Sequence, residues 1–158
     1  RAARQAGQQN VYCETCPQYL LLDETRYLDP EQALRCTMSP PLRSRADADA
    51  LWQALADGEI DVVATDHCAF SLAQKHAHSE DFRLVPSGAP GVEERMTLLL
   101  SAGVACGRIS LARAVEVLAA NPARLFGLAG RKGALQEGYD ADLVLFDPTA
   151  PFAFLDQN

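Results

Sequence analysis

The chain has 158 residues, of which 48% are hydrophobic and 22% charged, with a formal net charge of −7. That composition suits an ordinary folded globule and excludes a disordered polar chain. The negative balance argues against nucleic acid or an anionic membrane surface as partners, and no apolar run approaches the roughly 20 residues of a membrane helix.

Residues 1–9, RAARQAGQQ, read as the tail of a helix, broken by Asn10 ahead of a strand in VYCETCP. The chain opens on Arg1 rather than Met and closes on PFAFLDQN without an evident final element, so it reads as a piece of a longer chain. Pro17 ends the first strand. QYLLLDETRYLDPEQA is predicted as an excursion with one short helix, and LRCTMSPPL as an extended segment that Pro40 and Pro41 keep out of regular structure. Ser44 with Asp47 three residues on makes a capping box for a helix through Leu51, Trp52 and Leu55, which Gly58 terminates. Residues 60–65, IDVVAT, form a strand apolar on both faces, the pattern of a strand buried in a parallel sheet. Helix, strand, helix, strand is the order of βα units.

Residues 71–95 are predicted as a long polar loop with fixed turns at Pro86, Gly88, Pro90 and Gly91, of a kind that forms lids or binding walls. A helix is predicted from about Val92 to Ala105. Another starts at the N-cap Ser110, with Leu111, Ala114, Val115 and Leu118 in one apolar stripe. Asn121-Pro122 is predicted to break it before a short helical turn in ARLFGL. The texture then changes: KGALQEGYDADLVLFDP reads as two short strands joined by a turn, with Gly133 and Gly138 as punctuation. This places a domain boundary near Gly130, dividing residues 1–130 from 131–158.

Asp66 and His67 stand at the carboxyl end of the apolar strand, where parallel α/β folds place their chemistry. A carboxylate there can touch a metal and shuttle a proton in hydrolysis, or simply cap the next segment. His67 suits a place beside such a site. His76-Ala-His78 has the form of a metal pair, but no strand delivers it and no hydrophobic shell orients its rings, so it reads as solvated loop. Ser39, in MSPPLR, lacks the Gly-x-Ser-x-Gly elbow of a nucleophile; the prolines make a rigid turn offering main-chain groups to a planar amide ring. Five cysteines, an odd number, give no disulfide framework and fit a reducing cytoplasm. Cys13 and Cys16 form a CxxC without the second pair a zinc ribbon needs.

In this order, VYCETCPQYLLL, MSPPLR, IDVVATDHCAF, SGAPGVEER, GRISLARAVEVLAANPARLFGL and KGALQEGYDADLVLFDP resemble the dihydropyrimidinase/hydantoinase family over essentially the whole chain. That family belongs to the amidohydrolase superfamily of metal-dependent cyclic amide hydrolases. The tail pattern from NPARLFGL to DADLV is shared across the superfamily, whereas ETCPQYL with SPPLR and ATDHC points to the cyclic imide branch.

The resemblance implies an α/β fold: the C-terminal part of a (β/α)8 TIM-type barrel, with part of a small β-sandwich domain in residues 131–158. This chain would supply the last two barrel strands. Asp66 would be both catalytic and a metal ligand, taking a proton from the attacking hydroxide and passing it to the leaving nitrogen. Ser39 and Ser87 would bind the substrate, largely through main-chain atoms; Ser87 stands where the family usually has Asn. The implied cofactors are two divalent metal ions, zinc, bridged by a carboxylated lysine outside this chain. The remaining metal histidines and an oxyanion-stabilising tyrosine also lie outside it, so these residues cannot assemble the two-metal site alone.

The implied activity of the complete protein is ring opening of dihydropyrimidines or 5-substituted hydantoins. The implied context is a cytoplasmic homotetramer with a small-molecule substrate. The competing readings are a non-catalytic dihydropyrimidinase-like scaffold that has lost metal ligands, and allantoinase or dihydroorotase. No basic grip for the carboxylate of dihydroorotate is identifiable. A partial barrel also leaves an edge and an apolar face uncovered, so the isolated chain is expected to be aggregation-prone or molten.

Overall fold

The structure, a computed structural model, describes residues 2–8 and 10–150. Two parallel strands, β1 (Glu14–Thr15) and β2 (Val62–Val63), pair with Glu14 opposite Val62 and Thr15 opposite Val63. Everything between them is crossover: α2 (Pro17–Leu21), a 3₁₀ turn (Glu24–Leu28), α3 (Pro30–Arg35) and α4 (Arg45–Ala56). A short α1 (Ala2–Gln5) precedes β1. Arg1 and Gln9 of the predicted first helix lie outside the described residues.

The excursion after β1 contains two α-helices rather than one. Pro17, read as the end of the first strand, and Pro30 each stand in the first turn of a helix, where a missing N–H costs nothing and the fixed φ is already helical. The Ser44–Asp47 capping box is present in full: the Asp47 N–H donates to the Ser44 hydroxyl, and the Ser44 N–H donates to the Asp47 carboxylate. Ala48, Trp52 and Leu55 then fall on one buried face of α4, which ends ahead of Gly58.

After β2 come α5 (Leu72–His76), then α6 (Arg95–Leu98), which continues as π-helical turns over Leu99–Ala105. α7 (Leu111–Val115) widens into π turns at Glu116–Ala120 and runs on into α8 (Asn121–Leu125). Two expectations change here. Residues 92–94 form a turn, so the helix begins at Arg95. Asn121-Pro122 does not break the second helix. A Pro ring clashes with the carbonyl four residues back, and the wide turns immediately before Pro122 open the ladder enough to pass it.

The core is made by Leu20 of α2, Trp52 and Leu55 of α4, Ile60 and Val63 around β2, Leu99 and Leu100, Ile109, and Ala114 and Val117. Trp52 is its hub. Its indole N–H donates to the Leu20 carbonyl at 2.9 Å, and the Arg108 guanidinium lies 5.3 Å from its ring centroid. Gly103 faces the same ring so closely that a Cβ there would lie 2.9 Å from it.

Among the described residues β2 has one ladder partner, so several carbonyls around it are served by side chains instead. Arg95 donates to Val63, Arg113 to Ile60 and Leu55, Asn121 to Asp61, and Gln18 to Thr65. The predicted strands run beyond the two paired residues because pairing needs a neighbour on each side.

No strand forms among residues 131–150. Leu143, Val144 and Leu145 are largely exposed, with no sheet face to bury them. Residues 151–158 of the predicted small domain lie outside the described ones. Gly133, at φ +85°, crosses the α7–α8 helix on its alanines: a Cβ would lie 2.7 Å from Ala123 Cβ and 3.1 Å from the Ala119 carbonyl. No described helix is long and apolar enough to cross a membrane.

Candidate active site

The last ladder bond of β2, from the Ala64 N–H to the Thr15 carbonyl at 2.8 Å, brings the chain to Thr65 and Asp66 at the sheet's carboxyl end. Asp66 adopts φ +49°, the sole non-glycine in the left-handed region among the described residues. Asp and Asn are the side chains that tolerate it best. The turn leaves the carboxylate exposed over a cleft of about 490 Å³ lined by Glu14, Thr15, Cys16, Tyr19, Pro40 and Pro41 among others.

His67 is a structural acceptor. Its Nδ1 accepts the N–H groups of Gly91 at 3.1 Å and Val92 at 3.3 Å, while the Cys68 N–H donates to the Ala89 carbonyl at 3.0 Å. These bonds tie the segment after Asp66 to residues 89–92.

The Ser39–Pro40 peptide is cis, and two tyrosines hold the turn around it. The Tyr19 hydroxyl donates to the Pro40 carbonyl at 3.0 Å. The Tyr27 hydroxyl accepts the Leu42 N–H at 2.8 Å and donates to the Cys36 carbonyl at 3.4 Å. Ser39 itself is exposed. It lines a second, larger cleft of about 1100 Å³ with Ser87, Tyr27, Met38, Phe82 and His76 on its walls. The structure therefore brings Ser39 and Ser87 onto one cleft and sets Asp66 on its neighbour. Pro41 borders both.

Electrostatics around Asp66 follow from burial and its charge. Burial pushes the Cys16 thiol up to about 11, with Asp66 and Glu14 adding to the rise and Arg95 opposing it. Burial also moves the Tyr19 phenol up to about 12, helped by Cys16 and Asp66. Both groups are neutral at ordinary pH, so the charged side chains lining this cleft are the acids Asp66, Glu14 and Asp47 and the base Arg43.

The histidine pair separates. His76 Nε2 lies 3.0 Å from Glu31, and His78 is exposed. No group of three or more His, Cys, Asp or Glu able to hold a metal occurs among the described residues. A metal at Asp66 would therefore need ligands from beyond the described residues.

Sequence reasoning missed several neighbours. Glu14 is an acid on β1 whose role as a cleft wall was legible only once the strand's direction was known. Tyr19 sits in QYL, where nothing in the pattern marks a turn clamp. Lys75 is 3% exposed inside a stretch read as polar loop, and the Ser71–Gln74 capping box that starts its helix was the available signal.

Residues 3–158 match the amidohydrolase family. The chain is 56% identical over 149 residues to D-phenylhydantoinase from Escherichia coli O1:K1, covering 94% of this chain and 32% of that protein. It therefore spans about a third of the length of the curated relatives it matches. Among solved structures, dihydropyrimidinase from Brevibacillus agri superposes with a TM-score of 0.85 at 44% identity, covering 89% of this chain and 31% of that one. L-Hydantoinase from Arthrobacter aurescens gives 0.79 at 37% identity, with coverage of 89% and 30%. The fold is thus α/β, the C-terminal part of a TIM-type barrel with part of a small β-sandwich domain. Sequence motifs, the parallel strand pair ending in Asp66 and these likenesses converge: the chain belongs to the amidohydrolase family.

Proposed function

We propose that the full-length protein hydrolyses cyclic amides, opening the rings of 5-substituted hydantoins or dihydropyrimidines. The observation that carries this reading is the 56% identity to a D-phenylhydantoinase over nearly the whole chain. The placement of Asp66 at the sheet's carboxyl end, beside a clamped Ser-Pro-Pro turn, supports it.

In this reading two divalent metal ions, zinc, are held mainly by residues outside this chain, including a carboxylated lysine. When bound they would supply Lewis acidity and an activated water. Asp66 would be this chain's ligand to one of them; its carboxylate accepts the proton of the attacking water and returns it to the leaving ring nitrogen. Main-chain groups of Ser39 and Ser87 hold the ring amide; backbone donors and acceptors pinned by tyrosines suit a planar ligand because they lose little freedom on binding. Residues 1–130 belong to the barrel and 131–158 to the small domain. The protein works in the cytoplasm as a homotetramer.

The test is ring opening by the full-length, zinc-loaded protein on dihydrouracil, a 5-substituted hydantoin, allantoin and dihydroorotate. Turnover of either of the first two supports the reading. Turnover of only the others, or of none, overturns it.

A further inference from the structure

Lys75 is 3% exposed, yet none of the ion pairs found among the described residues includes it. Its ammonium donates instead to two main-chain carbonyls, Thr37 at 3.1 Å and Pro86 at 3.2 Å. Thr37 lies two residues before Ser39, and Pro86 immediately precedes Ser87. The same Thr37 carbonyl accepts the Gly88 N–H at 3.0 Å, so both segments meet at one oxygen. Gly88 in turn packs on Cys68 with no room for a side chain: a Cβ would lie 2.5 Å from the Cys68 carbonyl.

Burying an ammonium without a carboxylate is unfavourable, and burial indeed lowers the pKa of Lys75. For simple cohesion, an apolar side chain of the same length would serve as well. What a lysine adds is a fork of donors able to hold two carbonyls from different loops at a fixed separation. Short α5, started by the Ser71–Gln74 capping box, delivers it to that point.

We propose that Lys75 is a positioning residue that sets the spacing between the Ser39 and Ser87 walls of the larger cleft, and so governs substrate affinity rather than the chemical step. This rests on the reading in which main-chain groups of Ser39 and Ser87 grip the ring. Lys75 touches neither substrate nor metal in this scheme.

The experiment compares Lys75→Met and Lys75→Arg with the parent in the full-length, metal-loaded protein, by steady-state kinetics and by amide hydrogen exchange. For Lys75→Met the expected result is a KM about 10-fold or more higher with kcat within about 3-fold, the pattern of lost ground-state and transition-state binding together. Exchange should quicken at the amides of residues 37–39 and of Ser87 and Gly88, and stay unchanged in α4. Lys75→Arg, which keeps donors on a similar stem, should recover most of the KM change. A kcat that falls at constant KM overturns the proposal, as does unchanged exchange in both loops. Should Lys75→Met fail to fold, Lys75→Arg decides alone: parent-like exchange with a KM within about 3-fold supports the clamp, and a folded but KM-defective arginine variant overturns it. A parent protein inactive on all four rings sinks the proposed function, while the exchange comparison still decides whether Lys75 joins the loops.

Discussion

Three substitutions at Asp66, to Asn, Gly and Ala, separate what its backbone requires from what its carboxylate does. At φ +49° a residue with an ordinary Cβ is disfavoured by about 1–2 kcal/mol, whereas Asn and Asp bear the conformation through local hydrogen bonding. The side chain is exposed, so little packing is lost with it. Asp66→Ala should therefore be about 1 kcal/mol less stable than Asp66→Asn. Asp66→Gly should fall between them, since glycine adopts the conformation freely but gains entropy when unfolded. Activity should follow another order. All three lack a proton acceptor, and losing a positioned acid–base group lowers rate by about 10²–10⁴-fold, or roughly 3–5 kcal/mol of barrel-site barrier. Stability is best read from denaturant midpoints of the full-length protein with metal chelated, so that ligation does not enter the comparison. Rates are read with metal restored, on a 5-substituted hydantoin. Equal stability of the Ala and Asn variants would refute the backbone argument. An Asn variant keeping more than about a tenth of the parent rate would refute the proton role.

Gly103→Ala should destabilise the protein by about 1–3 kcal/mol, because the added methyl meets the Trp52 ring; an unchanged unfolding midpoint would mean the ring moves aside freely. The raised pKa of Cys16 makes its contribution to stability complete below pH 9 and lost as pH climbs toward about 11, since the folded thiol holds a proton that the unfolded one releases. Cys16→Ala should flatten that alkaline slope, and Asp66→Asn should shift it to lower pH by removing one of the charges that raise the thiol. At pH 8 iodoacetamide should modify exposed Cys13, Cys68 and Cys106 while sparing buried Cys16, as peptide mapping would report. Residues 1–158 expressed alone, with Leu135, Leu143, Val144 and Leu145 uncovered, should aggregate on size exclusion; a monomer that unfolds sharply on heating would refute this.

Elements written in local chemistry were legible. The α4 capping box, the helix it starts through Trp52 and Leu55, the apolar strand and the position of Asp66 at its end all follow from side chains a few residues apart. Elements that depend on distant neighbours were not. Strand length was overestimated because a ladder extends only where partners exist. The helix through Asn121-Pro122 was missed because a proline's effect depends on the turns before it, and π turns leave no simple sequence mark. Within the site, Asp66 and Ser39 stand out by motif. Glu14, Tyr19 and Lys75 became visible only when the fold set them against Val62, Pro40 and Thr37, each more than 20 residues away in sequence.

The contact at Gly133 narrows what this region can become. The segment leaving the helix 111–125 lies across Ala119, Ala120 and Ala123 at a distance set by missing atoms: no side chain below, only methyl groups above. Two filters act on one codon there, a left-handed φ of +85° and a gap that a Cβ would close to 2.7 Å. Neither can be relaxed by adjusting the other. Arg131 and Lys132 next to it reach out to Asp140 and Asp142 on the surface and are free to vary. A mutational scan across residues 131–134 should thus read as a single intolerant position between permissive ones, a signature of close backbone crossing rather than of chemistry.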